Sequence, residues 1–489
     1  MIPAFTVSQL RAAEQTALAA APDGMPMQRA ARAVATVAIS RLPRPLPGRR
    51  VLLLVGSGNN GGDALFAGAL LRRRGVAVTA LLADPAKAHP AGLGAFRRAG
   101  GRVVDAAEPG PVATFAGVIE DTFTFGGDFV GVDLVIDGLV GIGARPPLRP
   151  AAARLARLTG NSRAEVLAVD LPSGIDPDTG DEDGPAVSAA VTVTFGAPST
   201  GLLASERTGE LVIADLGLAP EPEGLPDAWA MDDADVETLR PRPGSGDDKY
   251  SGGVTGVLAG SARYPGAAVL ATGAAVRLRP GLVRYAGPQA EGVLARWPEV
   301  VAAAEPADAG RVQAWLAGPG MGTDGRALSR LLTVLEQDVP VLVDADGLTL
   351  LAEHPTLLPM RTGRDQAPPT VLTPHAGEFA RLWPDLDPTR RVAAARAAAR
   401  AADAVVLLKG HRTVIAAPDG RTAVNVNGTA WLASAGSGDV LSGVISSLLA
   451  AGLDPFLAAA VGARLHGRAG ERAERAGIAG AQALWDQLN

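Results

Sequence analysis

Residues 51–75 read "VLLLVGSGNNGGDALFAGALLRRRG". The opening apolar run carries no polar alternation. That is the pattern of a strand buried on both faces, as in a parallel sheet covered by helices. From Asp63 onward the pattern is helical: Leu65 and Ala69 share a face, Arg72 to Arg74 lie where the helix dipole is negative, and Gly75 suits a C-cap. Strand, glycine turn and helix in this order aim free backbone N–H groups and a positive helix end at an anion. The spacing departs from the dinucleotide fingerprint, because Asn59 and Asn60 stand where that motif needs only small residues. Two readings stay open at this point. The asparagines satisfy the turn's own backbone, or their carbonyls coordinate a hard cation or bind ribose and phosphate.

The same grammar runs through the chain. "VAVTALLAD", "VDLVIDGLVG", "EVLAVDLPSG" and "AVTVTFGAP" read as further buried strands, and "TVSQ" at residues 6–9 as a capping box with Thr6 as N-cap. A second series follows with "GGVTGVLAGS", "AWLAGPGMG", "PVLVDADGL", "TVLTPH" and "DAVVLLKG". Between the series lies "APEPEGLPDAWA", whose prolines and glutamates cannot continue a packed element. No motif order repeats, so the reading is two different α/β domains, residues 1–220 and 235–489, joined by a linker at 221–234. A chain of 489 residues is too long for one core. An apolar fraction of 47% with only 4% aromatics favours such layered packing.

Composition also removes functions. A net charge of −6 with interspersed signs gives no field for nucleic acid or an anionic membrane, and no long uncharged apolar window suggests a span. Zero cysteines rule out disulfides, Cys-based zinc sites and a thiol nucleophile, and make a reducing cytoplasm the simplest compartment. Lys87, Lys249 and Lys409 are the only lysines among 45 basic residues.

In the first half, two more strand ends carry chemistry. "VIDGLVGIGARPPL" supplies Asp137 and a second glycine turn, and "AVDLPSGIDPDTG" supplies Asp170, Ser173 and Asp176. Loops at the carboxyl ends of an open parallel sheet line one crevice, where Asn60, Asp137 and Ser173 form an all-oxygen, low-charge donor set. Taken singly, each aspartate is equally a turn residue or an N-cap. "VGSGNNGGD", "DGLVGIGARPP" and "VDLPSGID", in this order over about the first 220 residues, closely resemble the NAD(P)H-hydrate epimerase family. The resemblance implies a Rossmann-like αβα sandwich in which Asn59, Asn60, Gly61, Gly62 and Asp63, together with Gly141, Ile142, Gly143, Ala144, Arg145, Pro146 and Pro147, line the hydrated nicotinamide nucleotide. It also implies that Asn60, Asp137 and Ser173 bind potassium and that Asp170 contacts the substrate. Asp170 would move the proton as hydroxide leaves and re-adds at the hydroxyl-bearing ring carbon.

In the second half, "ASAGSGDVLSGVISSLL" places a small-residue turn before an apolar helix. Phosphate oxygens would meet N–H groups around Gly436 and Gly438, with Asp439 placed to take a proton from an attacking hydroxyl. Asp439 reads also as an ordinary N-cap. "VVLLKGHRT" ends a strand with Lys409, and "LTPHAGEFARL" sets His375 and Glu378 at a helix start, where Glu378 either caps the helix or reaches a hydrated metal ion. No "GxxxxGK[ST]" occurs, which excludes a P-loop. With "DDKYSGGVTGVLAGSARYPGAA" and "GPGMG", these motifs are similar to the NAD(P)H-hydrate dehydratase family over nearly all of residues 235–489. That family implies a ribokinase-like αβα sandwich. Ala267, Gly322, His375 and Asp439 would contact the hydrated substrate, while Lys409, Gly410, His411, Arg412, Thr413 and Gly438 would bind the adenine nucleotide. It implies ADP as co-substrate, giving AMP and phosphate with magnesium assisting, although nothing in the spacing separates ADP from ATP.

The two resemblances together imply a fused enzyme that epimerises NADH-hydrate and NADPH-hydrate and dehydrates the S form. It would be a homo-oligomer with small-molecule partners, and without nucleic acid or membrane. The alternative is a ribokinase-like small-molecule kinase carrying a non-catalytic N-terminal nucleotide-binding module.

Overall fold

Alternate residues of Arg50–Val55 bury against different layers. Leu53 and Val55 pack with Val34, Ala38 and Leu65 on one face, and Leu52 and Leu54 with Val135, Leu155 and Ala156 on the other. A strand with two buried faces belongs inside a sheet covered by helices on both sides, as its apolar run predicts. The computed structural model describes residues 1–20, 24–106, 131–160, 162–217, 222–242, 244–246, 248–278 and 281–488.

The chain divides into two compact units, Pro3–Asp227 and Ala228–Asn489, the latter with Met1–Ile2. After β1 (Ile2–Ala4), the first unit contributes β2 (Arg50–Val55), β3 (Ala77–Leu82), β4 (Arg102–Asp105), β5 (Leu134–Gly138), β6 (Glu165–Val169), β7 (Val191–Phe195) and β8 (Glu210–Ala214). These seven lie in the order β4-β3-β2-β5-β6-β7-β8, and every pairing is parallel. Strand order runs outward in both directions from β2 and β5, which makes the gap between their carboxyl ends the switch point where ligands enter such sheets. The helix after β2 spans Asn59–Arg73, with Gly75 in the left-handed region at φ 85° just beyond it.

The second unit holds β9 (Ala228–Ala230), β10 (Val254–Leu258), β11 (Leu282–Ala286), β12 (Val301–Ala303), β13 (Ala314–Ala317), β14 (Val341–Val343), β15 (Thr370–Leu372), β16 (Val405–Leu408), β17 (Thr413–Ala416) and β18 (Thr422–Asn425). Their order is β9-β18-β17-β16-β15-β14-β13-β10-β11-β12. β12 through β16 run parallel, while β16, β17 and β18 form an antiparallel meander. The switch point here lies between β10 and β13. Helix Ser437–Ala450 is buried around nearly its whole circumference and packs against helix Pro265–Arg277 at Gly443, where an added Cβ would sit 2.3 Å from the Ala271 carbonyl oxygen. Among the described residues no helix is long and apolar enough to cross a membrane.

Candidate functional site

The turn after β2 is shaped first by its glycines. A Cβ at Gly56 would lie 1.7 Å from the Leu139 carbonyl oxygen, one at Gly61 2.3 Å from the Gly56 carbonyl oxygen, and one at Gly62 2.9 Å from the His89 ring. Gly61 and Gly62 are therefore packing positions inside the fold, flanked by the half-buried Asn60 and the buried Asp63. A cleft of about 1580 Å³ opens there, lined by Asn59, Asn60 and Asp63, by Gly141 to Arg145 and Pro147, and by Asp170. Pockets for drug-sized ligands measure roughly 300–1,000 Å³, so a dinucleotide has room.

Asp137 and Ser173 are wholly buried. The Ser173 backbone N–H donates to Asp137 Oδ2 at 2.8 Å and its hydroxyl to Oδ1 at 2.8 Å, while the Val140 N–H donates to Ser173 Oγ at 3.2 Å. Asn60 Nδ2 donates to the Val140 carbonyl at 2.6 Å, so Val140 bridges Asn60 to the other two. Burial pushes the Asp137 carboxyl up to about 6, against the Ser173 and Leu139 donors that favour its charge.

Asp170 sits one residue beyond β6 at φ 66°, a left-handed conformation that turns its carboxylate across to the β5 loop. There Oδ2 accepts the Ile142 N–H at 3.0 Å and Oδ1 the Thr194 hydroxyl at 3.3 Å. Burial raises its pKa, and those two donors oppose the rise. Asp63 is buried, its Oδ1 has no hydrogen-bond partner, and burial with the nearby Asp170 and Glu14 carboxyls pushes it well above the usual range. Arg145 does not reach into the cleft as a free cation: it is forked between Asp176 at 2.8 Å and Asp178 at 2.7 Å, and Asp178 also accepts the Val7 N–H at 2.7 Å.

The second site gathers at the ends of β13 to β16 and the start of helix Ser437–Ala450. Asp439 is not an N-cap; that position is Gly436 at φ 84°, and Asp439 is the third helical residue. Lys409 Nζ donates to Asp344 Oδ1 at 2.7 Å and lies 3.8 Å from Glu378, while the Ser442 hydroxyl holds Asp344 Oδ2 at 2.6 Å. Burial and then Asp344 push Asp439 up to about 7, with Lys409 opposing. A Cβ on Gly438 would come 3.5 Å from Lys409 Nζ, so the lysine sits at the helix N-terminus. Glu378 does cap: it accepts the His375 N–H at 2.8 Å, while His375 Nδ1 accepts from Gly377 and Glu378. Gly322, at φ 84°, donates to Asp346 Oδ2 at 2.9 Å, and Ala267 is buried in the first turn of helix Pro265–Arg277. Of the 409–413 stretch, His411 is exposed, the buried Arg412 donates to the Val426 carbonyl, and Thr413 Oγ1 closes on the Gly410 carbonyl at 3.0 Å.

Sequence reasoning missed Glu14, Thr194, Asp344, Asp346 and Ser442. Asp344 and Asp346 follow a buried strand within "VLVDADGL" and carry the same signal as Asp137 and Asp170. Glu14 left no such signal, being one polar residue on an amphipathic helix.

Two α/β sandwiches, each presenting carboxyl groups, glycine turns and a helix N-terminus at its strand ends, define a two-site enzyme for anionic nucleotides. Residues 255–487 match the family model described as NAD(P)H-hydrate dehydratase, and residues 24–201 the model of the YjeF-related protein N-terminus. The bifunctional NAD(P)H-hydrate repair enzyme of Mycobacterium leprae is 50% identical over 470 residues, covering 95% of this chain and 93% of that one. Its counterpart in Corynebacterium glutamicum is 37% identical over 527 residues, covering 92% and 87%. A crystal structure of the ADP/ATP-dependent NAD(P)H-hydrate dehydratase of Bacillus subtilis with ATP and magnesium is 30% identical, covering 52% of this chain and 94% of that one, with a TM-score of 0.44. The chain belongs to the family of bifunctional NAD(P)H-hydrate repair enzymes. The architecture is Rossmann-like in the first unit and ribokinase-like in the second.

Proposed function

We propose that residues 1–220 epimerise the R and S forms of NADH-hydrate and NADPH-hydrate, and that residues 235–489 dehydrate the S form with ADP, giving AMP and phosphate. The observation that carries this reading is a 50% identical bifunctional relative covered over 93% of its length, so both of its halves are represented here.

In the first unit the cleft takes the hydrated nucleotide, with Asn59, Asn60 and Asp63 on one wall and the Gly141–Pro147 loop on the other. Asp170, held by Ile142 and Thr194, manages the proton as the hydroxyl leaves and returns. The Asn60, Asp137 and Ser173 oxygens fit potassium, because a single buried carboxylate among neutral oxygens suits a monovalent cation better than a divalent one. Bound there, potassium would supply positive charge behind the β5 loop.

In the second unit Asp439 deprotonates the ring hydroxyl so that it can accept a phosphoryl group, and the phosphate then departs as the ring regains its double bond. An acid that titrates near 7 is matched to that task at neutral pH. Lys409 and the N–H groups around Gly438 receive the nucleotide phosphates. Magnesium would enter with those phosphates and offset their charge; such a site needs only one or two protein carboxylates. A cytoplasmic location and a homo-oligomeric state belong to the same reading, the second checked by light scattering.

The test adds mixed epimers with either ADP or ATP to the pure protein and follows reduced cofactor by absorbance. Conversion of both epimers to completion supports the reading. A phosphorylated alcohol without reduced cofactor would favour the small-molecule kinase.

A further inference from the structure

We propose that Glu14 is a second catalytic proton-transfer group of the epimerase cleft, acting with Asp170 on the oxygen at the hydrated ring carbon. The inference rests on the epimerase reading above and adds a residue from an element outside the sheet.

The geometry begins with helix Val7–Ala20. Leu10, Glu14 and Ala17 follow one another at spacings of four and three, so they share a face, and all of them line the cleft. The helix is pinned at its start: Gln9 closes the capping box with Thr6, and the Val7 N–H is held by Asp178. Glu14 thus has a fixed origin, yet its carboxyl makes no hydrogen bond or ion pair with any described residue and remains open to the water of the cleft. A second observation points to a ligand there. Asp63, only 8% exposed, lines the same cleft and carries a buried oxygen without a hydrogen-bond partner. A buried carboxyl oxygen left without a partner is costly unless something occupies the space beside it.

Epimerisation explains why one carboxyl is not enough. The C–O bond breaks with its electron pair going to oxygen, which takes a proton and leaves as water, and the ring nitrogen lone pair stabilises the planar cation. Water then bonds to the opposite face and gives up a proton. Protons must be handled on both faces, and Asp170 is anchored by two donors, Ile142 and Thr194, which keep it from swinging between them. Glu14, on a different element and unanchored, supplies the second group. Its electrostatic surroundings fit: the cleft walls, which exclude part of the water around its carboxyl, and then Asp170 push it up to about 7, with Arg11 on its own helix opposing, while Asp63 is the acidic group facing it from helix Asn59–Arg73.

The test uses the full chain without ADP, starting from one pure epimer and following the R to S ratio from pH 5 to 9. Wild type should epimerise, and Glu14→Gln should lower kcat about 10²-fold with little change in KM and lose the pH limb near neutrality. Glu14→Asp should recover part of kcat together with that limb. Wild-type kcat and pH profile in Glu14→Gln would overturn the role of Glu14 and leave the epimerase reading standing, as would a loss confined to KM. A wild-type protein that does not exceed the uncatalysed rate would remove the epimerase reading itself, and Glu14 with it.

Discussion

Asp170 and Asp439 occupy comparable places, each near the carboxyl end of a parallel sheet, and each has a raised pKa from burial. The structure moderates them by different means. Asp170 is steadied by neutral donors, a backbone N–H and a hydroxyl, with no cation in hydrogen-bond contact among the described residues. Asp439 is surrounded by Asp344, Asp346 and Glu378, and its counterweight is one ammonium, Lys409. Dipoles fix a carboxylate in place, whereas a lysine held by other carboxylates fixes a charge balance that shifts when any member changes. The first arrangement suits a group working on a neutral ring hydroxyl, and the second a site that must also receive phosphates.

The sharpest way to break this contrast is Asp439→Asn, which should lower dehydration roughly 10²–10⁴-fold while leaving epimerisation intact, measured by separate assays on one preparation. Lys409→Met comes next. It leaves the buried Asp344 without its cation and should destabilise the second unit by about 3 kcal/mol in denaturant unfolding. No comparable electrostatic loss should follow Asp170→Asn, since no buried charge loses a counter-ion: the amide oxygen can accept the Ile142 N–H while the amide N–H group donates to the Thr194 hydroxyl oxygen.

Gly61→Ala tests the packing role assigned to the glycine turn. The new Cβ must displace the Gly56 carbonyl, so about 1–3 kcal/mol of stability should be lost in the first unit. The pH dependence is a subtler probe. Asp439 has its folded pKa raised from 3.8 to about 7, so its contribution to stability is fully present below the unfolded value and is lost as pH rises toward 7. Asp439→Asn should therefore melt above wild type at pH 8 and lose that advantage at pH 4, while wild-type dehydration falls as the carboxylate is protonated below about 7. The smallest effect is expected from Arg145→Gln. Its guanidinium is largely exposed, so epimerisation should weaken by no more than about fivefold.

Much of the layout was legible because its causes are local. Valine and leucine runs marked β2, β5, β6, β14 and β16, and the Thr6–Gln9 capping box formed as read. The strands β9, β11, β12 and β18 escaped notice because no valine–leucine run marks them: β9 and β12 are mostly alanine, Arg284 interrupts β11, and Thr422 and Asn425 close the ends of β18. Even so, Asp419 and Gly420, between β17 and β18, carried a hairpin signal that could have been used.

By itself the sequence determined where strands end in glycine turns and which aspartates follow them, since backbone conformation and burial period are set by near neighbours along the chain. Tertiary structure alone decided that Glu14 would join Asp63 and Asp170 in one cleft, and that Lys409 would find Asp344 65 positions away and Ser442 would find it 98 away. Those meetings depend on strand order and on the helices laid over the sheet. Their energies come from burial and charge at close range, which no linear spacing encodes.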